Sequence, residues 1–185
     1  MIIGLCGKSG SGKSTLAREL INQYEGKMVH LDIDKVGHYV LTIKEVGEEL
    51  INNFGNIIIS DGVVNRKKLS SIVFESKDKM RILEEITWKY MEMYIDQFLI
   101  ENKDNIVILD WILLPKTKYF SMSNIKILLD VPYEVRKERV LNRDNITESK
   151  FQLRDSASIK YNQEDFDYVF NKTDKENIKR LVKRI

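Results

Sequence analysis

The chain carries a single cysteine, Cys6, so no disulfide can form within it, and no cysteine–histidine cluster is available to hold zinc. Only two histidines occur, His30 and His38, and neither has a ligand-like neighbour in sequence. Two prolines, Pro115 and Pro132, and the lack of low-complexity stretches or repeats leave no sign of a linker. No apolar run approaches the roughly 18 residues of a membrane helix. An excess of one charge is also missing: 30 Lys and Arg face 28 Asp and Glu, a net charge of +2. A dedicated nucleic-acid surface would need a basic excess, so neither nucleic acid nor membrane is an expected partner. The chain enters an apolar strand at its first residues, with no signal-peptide pattern, so a reducing cytoplasm is the expected compartment. At 185 residues the chain suits one domain with a real core and a small subdomain or lid.

The feature that stands out is Gly7-Lys8-Ser9-Gly10-Ser11-Gly12-Lys13-Ser14. It fits the G-x-x-x-x-G-K-[ST] phosphate-binding loop at every defined position. Ile2 to Cys6 reads as a short buried strand before it, and Ser14 onward reads as a helix after it, which is the context that the mechanism requires. The glycines let the backbone curl so that amides from residue 7 to Thr15, those of Ser9, Gly10, Ser11 and Gly12 included, point at phosphate oxygens. The helix start adds partial positive charge in the same direction. Lys13 supplies a point charge for the outer phosphates, and the Ser14 hydroxyl is placed to ligate Mg²⁺. A nucleoside triphosphate is the expected ligand.

Helical spacing of Leu16, Ala17, Leu20, Ile21 and Tyr24 predicts the helix after the loop, and Gly26 can end it. Met28 to Leu31 reads as a second strand closed by Asp32-Ile33-Asp34, and strand–helix–strand of this length implies a parallel pair with a right-handed crossover. A helical stretch follows: Val46, Leu50, Ile51 and Phe54 capped by Gly55, a turn at Ser60-Asp61-Gly62, a short helix through Leu69, Ile72 and Val73, and a long helix from about Ser76 to Asn102. The apolar stripe of that long helix, Tyr90, Met91, Tyr94 and Ile95 included, reads as core packing. Ile106 to Leu109, Ile125 to Leu129 and Tyr168 to Phe170 are further strands, with Thr147 and Asp174 as helix caps. The expected fold is α/β, a three-layer phosphate-loop NTPase arrangement of about five parallel strands flanked by helices, with a helical acceptor-side insertion and a lid. The expected division is a core at about 1–34, 104–135 and 165–185, a helical acceptor-binding part at 35–103 and a lid at 136–164, all within one domain.

In such sheets ligands sit at the carboxyl ends of the strands, where the phosphate loop, Asp32, Asp34 and Asp110 all fall. Asp34 is the candidate general base for an acceptor hydroxyl. Asp32 is either a Mg²⁺ partner through water or a turn or cap residue. Asp110 is either a Mg²⁺-linked aspartate or a loop residue beside a core tryptophan, Trp111, which could instead wall an aromatic acceptor. Arg136, Arg139 and Arg143 occupy one helical segment, and Arg139 and Arg143 share a face. They either clamp triphosphate oxygens or form an exposed basic face balanced by Glu134 and Glu138.

Taken together, these residues resemble the dephospho-coenzyme A kinase family from the first strand to Asn171. Ile3 to Ala17 resembles the family's opening, and Leu31 to His38 its D-x-D segment, whose second aspartate, here Asp34, the resemblance casts as catalytic base. Phe54-Gly55, Asp61-Gly62, Arg66, Leu69, Ile72, Val73-Phe74 and Leu83 are similar in order and spacing to its middle region. Asp130-Val131-Pro132 with Arg139 and Arg143 resembles the strand leading into its lid, and Phe166 to Asn171 the segment before its adenine-contacting loop. The resemblance implies ATP- and Mg²⁺-dependent phosphorylation of the ribose 3′-hydroxyl of dephospho-coenzyme A. It implies Lys13 and the loop amides on phosphates, Ser14 on Mg²⁺, Asp34 as base, Arg139 or Arg143 on phosphate and Asn171 near the nucleotide. The chain departs from the family at Trp88-Lys89, at Asp110-Trp111-Ile112-Leu113-Leu114 and in the lid at Ala157 to Asn162. Another nucleoside or nucleotide acceptor is therefore the alternative.

Overall fold

The computed structural model describes residues 1–185. In chain order its elements are β1 (Ile2–Gly7), α1 (Lys13–Gln23), β2 (Met28–Asp32), α2 (Ile33–Val40), α3 (Lys44–Phe54), β3 (Ile59–Ser60), β4 (Val63–Val64), α4 (Arg66–Val73) and α5 (Lys77–Glu101). They continue with β5 (Ile106–Asp110), α6 (Lys118–Met122), β6 (Ile125–Leu129), α7 (Tyr133–Asp144), α8 (Glu148–Ser156), β7 (Tyr168–Phe170) and α9 (Lys175–Val182). They fall into two compact units, Met1–Asp32 with Asn102–Ile185, and Ile33–Glu101.

The first unit is built on a five-stranded sheet in the order β2-β5-β1-β6-β7, parallel throughout. β1 and β5 are continuous apolar runs because both faces are covered. On one face Ile3, Leu5, Ile108 and Ile127 meet Leu16, Ala17 and Leu20 of α1 and Ile178 and Leu181 of α9. On the other face β1 presents Gly4, and a Cβ there would lie 2.7 Å from Ser123 Oγ and 3.0 Å from a Leu114 methyl. A side chain at that position would force Ser123 and Leu114 to give way. Helices therefore cover both faces, the three-layer arrangement expected. Thr147 and Asp174 cap α8 and α9 as the sequence suggests, accepting from the amides of Lys150 and Asn177.

The second unit is helical apart from the β3–β4 hairpin, whose Asp61-Gly62 turn has positive φ at both residues. α2, α3 and α4 pack on the 25-residue α5. The structure departs from the sequence reading in two places here. Asp34 does not close a strand: α2 begins at Ile33, because Ile33, Val36 and Val40 form a buried helical stripe. Tyr94 is not core either. It is 41% exposed and its ring lies 5.5 Å from that of Tyr39.

Cys6 is fully buried in β1, and burial pushes its thiol up to about 12, partly opposed by the Lys13 charge and assisted by that of Asp110. The thiolate is the reactive form. Native protein at pH 8 should therefore leave Cys6 unlabelled by a disulfide reagent while the unfolded chain releases one equivalent; rapid labelling of the native form would contradict this packing.

Candidate active site

The phosphate loop leaves β1 at Gly7 and enters α1 at Lys13, at the carboxyl edge of the sheet. Gly10 shows why glycine is needed: φ is 80°, and a Cβ would lie 2.6 Å from the Arg136 carbonyl oxygen. The loop is thus pressed against α7. Gly12, at φ 93°, is the N-cap of α1 and offers no side-chain cap, so the helix start is left open. A Cβ on Gly12 would be 3.7 Å from both Arg139 Nη1 and Thr173 Oγ1, which places the 171–174 segment beside the loop. Thr173 Oγ1 and Ser11 Oγ are buried without a hydrogen-bond partner. Asn171 lies on the wall of an open polar cleft of about 720 Å³ with Asp130, Gln163, Lys172 and Arg180.

Asp110, 3% exposed at the end of β5, is the electrostatic centre. Its Oδ2 accepts from Ser14 Oγ at 3.1 Å, and its Oδ1 lies 3.8 Å from Lys13 Nζ. Lys13 also donates to the Gly7 carbonyl at 2.9 Å, folding across its own loop. Asp32 pairs in register with Asp110 on the neighbouring strand, so the two carboxylates stand level. The structure therefore draws Lys13, Ser14, Asp32 and Asp110 together, while Trp111 is a buried residue whose amide donates to Leu5 O. Asp34 is exposed in the first turn of α2.

The three α7 arginines part company. Arg139 Nη1 donates to the Gly10 carbonyl at 3.1 Å and has no carboxylate partner, so its charge stands unneutralised over the loop. Arg143 reaches Ser9 Oγ at 3.4 Å but is held by Asp144 at 2.7 and 3.1 Å. Arg136 is buried: it donates from Nε to the Val131 carbonyl at 2.9 Å, from Nη1 to the Ser9 carbonyl at 3.4 Å, and to both carboxylate oxygens of Asp155 on α8. Lys8 Nζ lies 3.6 Å from the same carboxylate. Of the three arginines Arg139 and Arg143 are exposed and Arg136 is buried, while Glu134 pairs with Lys137 and not with an arginine. Sequence reasoning also missed Tyr161, whose hydroxyl accepts from the Gly7 amide at 3.2 Å and donates to the Ile112 carbonyl at 2.8 Å. It missed the His30 Nε2–Asp110 Oδ2 contact at 3.2 Å as well.

The family model described as CoaE, dephospho-CoA kinase, matches residues 1–170. The chain belongs to the dephospho-CoA kinase family. It is 34% identical over 167 residues to the dephospho-CoA kinase of Fusobacterium nucleatum subsp. nucleatum, covering 86% of this chain and 85% of that one. To the Aquifex aeolicus dephospho-CoA kinase it is 37% identical over 158 residues, covering 82% and 77%. Among solved structures, TT1252 from Thermus thermophilus aligns with TM-score 0.82 at 23% identity, covering 100% of this chain and 95% of that one. The Campylobacter jejuni dephospho-CoA kinase aligns with TM-score 0.62 at 18% identity, covering 99% and 94%. At those identities the two structures speak for the fold. As a member of the dephospho-CoA kinase family the chain is an ATP-dependent small-molecule kinase. No helix is long and apolar enough to cross a membrane.

Burial raises the Asp155 carboxyl, but the hydrogen bond to Arg136 and the charges of Arg136 and Lys8 outweigh it and hold the group below the usual carboxylate range. A depressed folded value means that its stabilisation is complete above the unfolded value of about 3.9 and is lost as pH falls through the folded value. Replacing Asp155 by Asn strands the buried Arg136 charge, and urea unfolding at pH 7 should show a loss of about 3 kcal/mol. That deficit should shrink as pH drops below about 4; a variant as stable as the parent at pH 7 would show that the pair contributes nothing.

Proposed function

We propose that the chain transfers the terminal phosphoryl group of ATP to the ribose 3′-hydroxyl of dephospho-CoA, giving CoA. The observation that carries this reading is the group formed by Lys13, Ser14, Asp110 and Arg139 around an open helix start, in a chain whose curated relatives bear the name dephospho-CoA kinase. Phosphoryl transfer asks a protein mainly for positioning and for charge where charge develops. The loop amides from Gly7 to Thr15 and the Lys13 ammonium take the phosphate oxygens. Arg139, free of any carboxylate, adds a second cation, and Arg143 joins it once its grip on Asp144 is exchanged for phosphate. Asn171 and the segment after it take the base end of the nucleotide, in keeping with the closeness of Thr173 to Gly12.

The residues present fit Mg²⁺. The Ser14 hydroxyl and the Asp110 carboxylate are hard oxygen donors 3.1 Å apart, with Asp32 level beside them. No cluster of three or more His, Cys, Asp or Glu side chains is spaced to hold a metal. That suits an ion shared with phosphate and water rather than caged by protein. Ser14 and Asp110 would hold the ion directly and Asp32 through water; when bound, it neutralises charge on the phosphates.

Asp34 is the proposed general base. A carboxylate exposed in the first turn of α2 can take the proton of an acceptor hydroxyl. Asp34→Asn should lower kcat by about 10²–10⁴-fold while the Kd for ATP stays that of the parent. The decisive assay supplies ATP, Mg²⁺ and dephospho-CoA and identifies the product by phosphorus NMR as a 3′-phosphate. Turnover on a nucleoside panel with none on dephospho-CoA would replace this reading by that of a nucleoside kinase.

A further inference from the structure

Asp110 uses its two carboxylate oxygens differently. Oδ2 takes two neighbours, Ser14 Oγ at 3.1 Å and His30 Nε2 at 3.2 Å, whereas Oδ1 has only the longer Lys13 contact at 3.8 Å. A carboxylate oxygen accepts, so His30 carries its hydrogen on Nε2 and donates. The placement is written into the sheet. His30 and Asp32 are two apart on β2 and so share a face. Asp32 is level with Asp110, and His30 is level with Ile108, so the imidazole stands one pleat below the carboxylate and reaches up to it. The His30 side chain is 20% exposed and that of Asp110 4%, so water supplies little competition at this contact.

We infer that His30 is a positioning residue for the reaction: by donating to Oδ2 beside Ser14 it saturates that oxygen and turns Oδ1 toward the phosphate loop, where a cation is held. The inference rests on the metal role proposed for Asp110. Without His30 a buried carboxylate keeps one strong donor and can rotate about its own axis, so the oxygen offered to the cation is no longer fixed. Donors behind a ligating group commonly tune metal affinity by about 10–100-fold. Nothing about ATP itself changes, because His30 stands behind Asp110 and away from the loop amides.

Two measurements test this on the full chain. The first uses Mn²⁺ as the probe, titrated by electron paramagnetic resonance into protein saturated with a non-hydrolysable ATP analogue. His30→Leu should weaken Mn²⁺ by about tenfold. His30→Gln, whose amide reaches to a similar point, should restore most of the loss, and metal-free binding of the analogue should be equal in all three. The second needs no metal. In a long-range proton–nitrogen spectrum of the free protein, the His30 ring, assigned by its disappearance in His30→Gln, should carry its hydrogen on Nε2, and its signals should move in Asp110→Asn. Parental Mn²⁺ affinity in His30→Leu, with affinity lost in Asp110→Asn, would overturn the role of His30 and leave that of Asp110 standing. Parental affinity in Asp110→Asn would overturn both. A His30 ring found with Nε2 unprotonated would also overturn the inference.

Discussion

The contact between the Asp110 carboxylate and the Lys13–Ser14 turn is the constraint on which the rest of the site depends. It joins the end of β5 to the first residues of α1, two elements that also pack through Ile108 against Leu16, Ala17 and Leu20. Because Asp110 is almost wholly buried, its charge must be met by fixed donors, and Lys13 and Ser14, the groups proposed to handle phosphate and its cation, are among them. The loop is therefore held in shape before any nucleotide arrives. Lys13 rests on the Gly7 carbonyl and Ser14 on Asp110. A site that is organised beforehand wastes little binding energy on rearrangement.

A second constraint comes from the opposite side of the loop. Arg136, buried between Val131, Ser9 and Asp155, fastens α8 to α7 and to the loop backbone at once. Tyr161 adds a further stitch from the Gly7 amide to the Ile112 carbonyl. The segment that the sequence marks as a lid thus makes structural contacts to Gly7, Lys8 and Ser9 of the loop. The proposed cationic work falls to Arg139 and Arg143 on the exposed face of α7. Arg136 within the fold is neutralised by Asp155 and Arg143 on the surface by Asp144, whereas Arg139 over the loop meets no carboxylate.

Much of this was legible in the sequence, for reasons that can be named. The loop motif fixes its own context, and strands buried on both faces read as apolar runs, unbroken through Ile106–Leu109 of β5 and interrupted in β6 only by Lys126, so β1, β5 and β6 are visible at once. Helix caps at Thr147 and Asp174 are local chemistry and legible from the residues alone. Contacts that depend on long-range pairing were not legible. His30 meets Asp110 across 80 residues, and in sequence it is one polar residue in an apolar strand. Arg136 meets Asp155 only because α8 folds back, and nothing in the spacing of the three arginines sets the buried one apart. The two-residue strands β3 and β4 are too short for any period to show, although their turn was plain. In sequence Asp32-Ile33-Asp34 looks like a closing turn and puts Asp34 at a strand end, whereas the buried stripe of Ile33, Val36 and Val40 makes the segment helical.

The central claim is that residues 7 to 15, with Lys13 at their end, bind phosphate groups. Titration calorimetry with ATP and with adenosine, on the parent chain and on Lys13→Ala, tests it most directly. The account predicts that ATP binding weakens by about 10–100-fold, the size of a lost charged hydrogen bond, while adenosine binds both proteins alike. An ATP affinity unchanged by the substitution, or an equal loss for adenosine, would contradict it.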